Sequence, residues 1–234
     1  MSLTDNISAI HRRIAIACQR VGRSTTSVRL IAVTKTVALP LINEAITQGI
    51  TAIGENRVQE ATTKFPAMLP VERHLIGHLQ SNKARRAVEL FDYIHSLDSI
   101  SLAQRLEHLA ATLSRRPQVL IQVDLSKEVT KTGADVADLP ALIEFLQSCQ
   151  NLHLCGLMTI PPLLDTAEAV RPYFRQLREL SQKLQAEYPQ ISLSELSMGM
   201  SGDFEVAIAE GATMVRVGTA IFGGRPAQLI NTVK

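Results

Sequence analysis

The sequence predicts an α/β protein: a single (β/α)8 barrel of the TIM type over residues 1–234, with one extra helix at the N-terminus. Three observations predict it. Short, β-rich apolar runs recur eight times along the chain. The runs are close to continuous rather than alternating, as in strands buried on both faces. Each is trailed by a polar loop and then helical potential, the rhythm of parallel βα units. An open doubly wound sheet is the alternative. It normally carries a glycine-rich turn after its first strand, whereas Thr34-Lys35-Thr36 contains no glycine.

The elements follow in order. Ile7, Ile10, Ile14, Ala17 and Val21 fall at helical spacing and make the N-terminal helix amphipathic. The eight strands are expected at Leu30–Thr34, Ile50–Ile53, His74–Ile76, Tyr93–Leu97, Val119–Leu125, Leu152–Met158, Leu193–Ser197 and Met214–Val217. Pro40 suits a first helical turn and Gly49 a position just past a helix end. Ser81 is placed to cap Asn82–Leu90. Asp138 and Pro140 open a helix reaching Ser148. Thr166–Glu187 is long enough for six turns, with Pro172 confined to the first turns or bending the helix.

Composition narrows the function. Hydrophobic residues make up 46% of the chain, enough for a full core. With 24 Lys plus Arg against 22 Asp plus Glu, there is no electrostatic case for nucleic acid. Lys83/Arg85/Arg86 and Arg115/Arg116 read as solvated helix faces. Cys18, Cys149 and Cys155 are an odd set without close pairing, which argues against disulfides or zinc and suits a reducing cytosol. No apolar run approaches the ~18 residues of a membrane span, and no signal-peptide core is expected at the N-terminus.

In such barrels the chemistry gathers where the strands end. The stretches Ser197-Met198-Gly199-Met200-Ser201-Gly202-Asp203 and Gly218-Thr219-Ala220, with Phe222-Gly223-Gly224 behind, supply glycines and hydroxyls after strands seven and eight. A barrel phosphate site needs that composition, because backbone N–H groups must approach the anion without obstructing Cβ atoms. Two ordinary glycine-rich turns are the plainer reading. Lys35 ends the first strand. Alone, a lysine reaching out to solvent is simpler; beside a phosphate site, a Schiff base with a phosphorylated aldehyde is the sharper idea. Arg216 lies between Val215 and Val217, so its charge must face a partner or the barrel interior, and an ion pair with a carboxylate is the equal alternative. His74 and His78 form an H-x3-H pair that spans a strand end, where metal-binding geometry is not expected. Cys149 and Cys155 read as packing residues.

Taken together, these residues resemble the family of pyridoxal-phosphate homeostasis proteins, which look like the barrel half of alanine racemases. The matching stretches are Ala32–Lys35, Gly54–Glu60, His74–Lys83, Lys131–Gly133, Gly156–Ile160, Leu196–Asp203 and Val215–Gly223. They cover nearly the whole chain in order. Arg73 stands where the family often has an aromatic residue, and Leu75 where it has Phe or Met. The resemblance implies that pyridoxal 5′-phosphate is the cofactor and that Lys35 carries it as a Schiff base. It implies that Ser201, Gly218 and Thr219 hold the phosphate with help from Gly202. Arg216 would face the pyridine nitrogen, and Asn56 and Met198 would lie near the ring.

An arginine at that nitrogen disfavours its protonation and makes the ring a weak electron sink. A racemase also needs an acid/base on the opposite face of the cofactor. Tyr93, Tyr173 and Tyr188 are all placed away from the strand ends, and no added β-domain is expected. The resemblance therefore favours a non-catalytic carrier or regulator: a cytoplasmic monomer that binds, stores or delivers the cofactor, with apo-enzymes as partners and effects on amino-acid and keto-acid pools. The alternatives are a weak racemase or another enzyme using this cofactor, a cofactor-free aldolase with a barrel lysine, and a signalling module.

Overall fold

The structure is a computed structural model and describes residues 2–126 and 132–223. The opening helix α1 (Leu3–Arg20) buries Ile7, Ile10, Ile14 and Ala17, as the spacing predicts, together with Cys18. Val21 lies at its C-cap, 40% exposed. A reciprocal cap starts the helix: the Ser2 hydroxyl accepts from the Asp5 N–H, and the Asp5 carboxylate accepts from the Ser2 N–H.

Eight strands then alternate with helices. They are β1 (Arg29–Val33), α2 (Leu39–Thr47), β2 (Ala52–Glu55), α3 (Val58–Lys64), β3 (Glu72–Leu75), α4 (Ala84–Leu90), β4 (Tyr93–Leu97) and α5 (Ile100–Thr112). They continue with β5 (Gln118–Gln122), α6 (Leu139–Ser148), β6 (His153–Met158), α7 (Arg171–Glu187), β7 (Glu195–Met200), α8 (Phe204–Ala209), β8 (Met214–Val217) and the short α9 (Thr219–Phe222). All neighbours are parallel, and β1 pairs with β8 from Arg29↔Met214 to Ala32↔Val217, which closes the barrel. The helix α1 packs against α8 and α9 across this seam.

Several boundaries differ from expectation, each for a local reason. The strand β2 runs on to Glu55 because that carboxylate finds buried donors, described below. β5 ends at Gln122, since Val123 bridges to Ala134 instead of continuing the ladder. Ser81 does not cap a helix; it opens a single 3-10 turn, Ser81–Lys83, before α4 starts at Ala84. The expected helix from Thr166 begins only at Arg171, with Pro172 in its first turn and the 3-10 turn Glu168–Val170 in front. Thr166 accepts the Ala169 N–H through its hydroxyl, a turn contact that competes with helix extension.

The main core lies between the sheet and the helices, where Phe91, Phe174, Phe204 and Leu106 are fully buried. A smaller apolar plug of Ile31, Ala52, Leu120, Cys155, Met158 and Met214 fills part of the barrel interior. The rest of the axis is polar: His74, His95, Gln122, Ser197 and Arg216 are all buried. No helix among the described residues is long and apolar enough to cross a membrane.

Candidate functional site

At the C-terminal end of the barrel the strands open into a cavity of about 450 Å³. Its wall includes Lys35 beyond β1, Asn56 beyond β2, Ser201 and Gly202 beyond β7, Arg216 within β8, and Gly218 and Thr219 beyond β8. The structure thus brings together every site residue expected from the sequence except Met198. His78, Gln122, Thr132 and Met200 also line the cavity. No carboxylate does so among the described residues.

Lys35 is held by its neighbours. Thr34 is fully buried; its N–H donates to the Gly54 carbonyl at 2.9 Å and its hydroxyl to Glu55 Oε1 at 2.7 Å. Lys64 Nζ donates to the Thr34 carbonyl, to Glu55 and to Glu60 at 2.8, 3.0 and 2.6 Å. Glu60 in turn accepts the Thr36 N–H at 2.6 Å. The backbone on both sides of Lys35 is therefore tied to one cluster. Thr36 has φ +63°, a left-handed conformation that costs a β-branched residue roughly 1–3 kcal/mol. The cluster holds that strain next to the lysine. Burial raises the Glu55 carboxyl above its ordinary range, outweighing the bonds from Thr34 and Lys64. This brace is carried by Glu55, Glu60 and Lys64. Sequence reasoning quoted the first two only as part of a matching stretch and missed all three as functional groups. The signal available was a polar residue, Glu55, at the end of an apolar strand.

Arg216 points into the barrel. Its Nη1 donates to the Ser197 carbonyl at 2.8 Å and to the Ser197 hydroxyl at 2.6 Å, and Nη2 donates to the Thr159 carbonyl at 2.9 Å. Among the described residues no carboxylate reaches ion-pair distance. Burial pushes the guanidinium down to about 10, with the charge of Asp203 opposing the shift. Arg216 therefore stays a cation at neutral pH, fixed by neutral oxygens.

The β7 and β8 ends form the third part. Ser201 accepts the Gly218 N–H through its hydroxyl at 3.3 Å, so the two loops meet. A Cβ built on Gly202 would meet nothing within 4 Å, so the backbone there is open to the cavity. Within β7, Gly199 takes φ +90°, and a Cβ there would stand 2.5 Å from that of Ala207. Gly77 permits a different approach: its Cβ would lie 2.3 Å from the Asn56 carbonyl, so the loop beyond β3 packs directly on the segment carrying Asn56.

Met198 is the exception. It is fully buried in the core between sheet and helices, not in the cavity wall. Ser197 faces the axis, so its successor faces outward. The register then slips: Ser197 pairs with Met214 but Met200 pairs with Arg216, three steps on β7 against two on β8. This bulge reverses the alternation and turns Met200 into the cavity. Lys131, part of an expected matching stretch, and Gly224 lie outside the described residues; Thr132 accepts from Gln122 Nε2 at the cavity edge. His74 lies in the barrel interior, and His78 is half exposed, 3.6 Å from Asp98. Tyr93 sits at the opening residue of β4, at the opposite end from the cavity, and Tyr173 and Tyr188 lie on and just past α7.

A family model described as "Alanine racemase, N-terminal domain" matches residues 6–226. The pyridoxal phosphate homeostasis protein of Aquifex aeolicus is 44% identical over 227 residues, which cover 96% of this chain and 99% of that one. The Escherichia coli protein of the same name is 40% identical over 230 residues, covering 95% and 97%. Among solved structures, PipY of Synechococcus elongatus with PLP bound superposes with a TM-score of 0.84 at 42% identity, covering 95% of this chain and all of that one. An alanine racemase from Clostridium difficile shares the fold alone, with a TM-score of 0.72 at 16% identity over 96% of this chain and 58% of its own. The chain belongs to the alanine racemase N-terminal domain family and, within it, to the pyridoxal phosphate homeostasis proteins.

Proposed function

We propose that the chain binds pyridoxal 5′-phosphate in the C-terminal cavity and serves cofactor homeostasis, holding, storing or delivering the cofactor with little or no turnover. One observation carries the reading: two cations, Lys35 and Arg216, share a cavity with three hydroxyls and open glycine backbone, and no described carboxylate lines it. The donor set fits the group part by part. Lys35 is an amine for the aldehyde. Ser201, Gly202, Gly218 and Thr219 are donors for the phosphate. Arg216 is a fixed cation for the ring nitrogen, and Asn56 flanks the ring.

When bound, this cofactor supplies an aldehyde for amines and an electron-withdrawing ring. The protein's own groups decide how far that chemistry goes. Lys35 attaches the cofactor and can be displaced by another amine. Arg216, a donor already charged, leaves the ring nitrogen without a proton and so keeps the ring a poor electron sink. A second acid/base would have to stand across the ring from Lys35, and none of the three tyrosines lines the cavity. The same reading has the protein acting in the cytoplasm as a single-domain monomer that passes cofactor to apo-enzymes.

The test is incubation of the purified protein with pyridoxal 5′-phosphate, which is expected to turn it yellow, then borohydride reduction and peptide mapping. The label is expected on Lys35. A label on another residue, or a protein that takes up no cofactor, would overturn the assignment.

A further inference from the structure

We propose that Ser197, His95, His74 and Glu72 form a one-directional chain of hydrogen bonds through the barrel axis, which holds Arg216 from the far end of the barrel and makes Ser197 and His95 positioning residues for the guanidinium at the cavity. The inference rests on the cofactor reading only where it concerns what Arg216 faces; the chain itself is a matter of geometry.

The contacts are continuous. Arg216 Nη1 lies 2.6 Å from Ser197 Oγ, and Ser197 Oγ lies 2.9 Å from His95 Nδ1. His95 Nε2 lies 2.8 Å from His74 Nδ1, and His74 Nε2 lies 2.8 Å from Glu72 Oε1. The four links cross four strands, β8, β7, β4 and β3, and run from the cavity to the opposite mouth.

Donor and acceptor counting fixes the direction. A guanidinium has only donors, so Ser197 Oγ accepts from Arg216. The Ser197 hydroxyl then has its one proton to give, and His95 Nδ1 takes it. An imidazole that accepts at Nδ1 carries its proton on Nε2, so His95 donates to His74 Nδ1. By the same step His74 Nε2–H donates to the Glu72 carboxylate. Each group is used once in each sense. The reversed chain fails at both ends. It would set a bare His74 Nε2 against a carboxylate and would leave Ser197 with two donors and no acceptor.

The charges around the chain agree. Burial pushes His95 well below its ordinary range, helped by the charge of Arg216, and burial lowers His74 against the pull of Glu72. Glu72 is lowered: burial works against the shift, but the bond from His74 and the charge of Arg29 outweigh it. The groups facing the two rings are Arg29 of β1, 3.2 Å from Glu72, and Tyr93 of β4, stacked on His74 at 4.5 Å. Asp92 stands before β4, and Glu195 of β7 lies 3.7 Å from Arg29. Cys155 of β6 is held neutral by burial. Both rings are therefore neutral while the ends are ionised. Because arginine at the head does not give up its proton, the chain is a static brace rather than a proton conduit. It commits the Ser197 proton away from Arg216 and leaves a lone pair for Nη1.

Two measurements test this. Long-range 1H–15N spectra of the labelled protein without cofactor, at pH 7, are expected to show His74 and His95 as neutral Nε2–H tautomers. A proton on His95 Nδ1, or a charged ring at either position, would overturn the chain. Second, pyridoxal 5′-phosphate is titrated into the wild type, His95→Leu, His95→Gln and Ser197→Ala. Glutamine keeps one acceptor and one donor; leucine keeps neither. Leucine and the serine variant are each expected to lose about tenfold in affinity, the worth of one hydrogen bond to a charged group, with a displaced visible band. Glutamine is expected to recover most of both. Equal loss in the leucine and glutamine variants, with an unmoved band, would mean that His95 only fills space. If His95→Leu does not fold, Ser197→Ala and the tautomers decide. If the wild type binds no cofactor, the cavity reading fails while the spectra still decide the chain.

Discussion

Replacing Lys64 by methionine should destabilise the protein and loosen Lys35 without touching the cavity. Lys64 gives three hydrogen bonds, to the Thr34 carbonyl, Glu55 and Glu60, and its side chain is only 12% exposed. Methionine keeps the stem's volume but strands two carboxylates beside each other, one of them fully buried. Breaking a buried pair costs about 3–5 kcal/mol. Glu60 is 24% exposed and partly screened by solvent, so about 3 kcal/mol is the figure to expect at pH 7. The pH dependence follows from sign. Glu55 already sits above its ordinary range through burial, and losing the Lys64 charge raises it further. The folded variant then binds a proton more tightly than the unfolded chain, so its stability rises as pH falls, and its deficit against wild type should shrink towards about pH 5.5. Urea unfolding at both pH values measures this. A deficit below about 0.5 kcal/mol at pH 7, or a double variant Glu55→Gln/Lys64→Met no more stable than Lys64→Met alone, would refute the brace.

Further expectations concern the phosphate, the helix layer and turnover. Ser201→Ala or Thr219→Val should weaken pyridoxal 5′-phosphate binding several-fold, each hydrogen bond to a charged group being worth about 1.5–3 kcal/mol; pyridoxal itself should bind far less well, and equal affinity for both forms would place the phosphate elsewhere. Glu210, with its side chain 5% exposed, meets Arg171, Arg175 and Arg178 at 2.9, 3.0 and 2.9 Å. Glu210→Gln should cost about 2 kcal/mol at neutral pH by thermal or urea unfolding. Burial opposes ionisation there, but the bonds from Arg175 and Arg171 hold the carboxyl below its ordinary 4.5, so that stability is lost as pH falls through the lowered value. L-alanine in deuterated water should show slow Cα exchange at most and negligible D-alanine; racemisation at about 10 s⁻¹ would reveal an acid that completes the site.

Much of this was legible in the sequence, because barrel rhythm and strand-end chemistry are both local patterns. Eight apolar runs give eight strands; Lys35, Asn56, Ser201, Gly202, Gly218 and Thr219 each follow a run, and Arg216 interrupts one. What escaped depends on long-range pairing. Met200 turns inward through a bulge that exists only against β8, and nothing in Ser197–Met200 alone announces the extra step. The Lys64–Glu55–Glu60 brace joins β2 to the helix after it, beneath a residue from β1. The His74–His95 contact needs the register of β3 against β4. Residue type pointed to chemistry, and closure of the sheet decided which groups meet.

The seam between β1 and β8 joins residues 29–32 to residues 214–217, and Asn6 Nδ2 reaches across the chain to the Ile221 carbonyl at 2.9 Å. The cavity is built over that seam, with Lys35 on one bank and Gly218 and Thr219 on the other. During synthesis Lys35 emerges about 180 residues before Gly218 and Thr219, so a growing chain at the ribosome holds one bank of the cavity long before the other. On the proposed function, the cofactor can be retained only once β8 and the residues that follow it have been made. A cofactor bound across this seam, as proposed, would act as a clasp: it would favour the closed barrel by mass action and oppose the separation of β1 from β8.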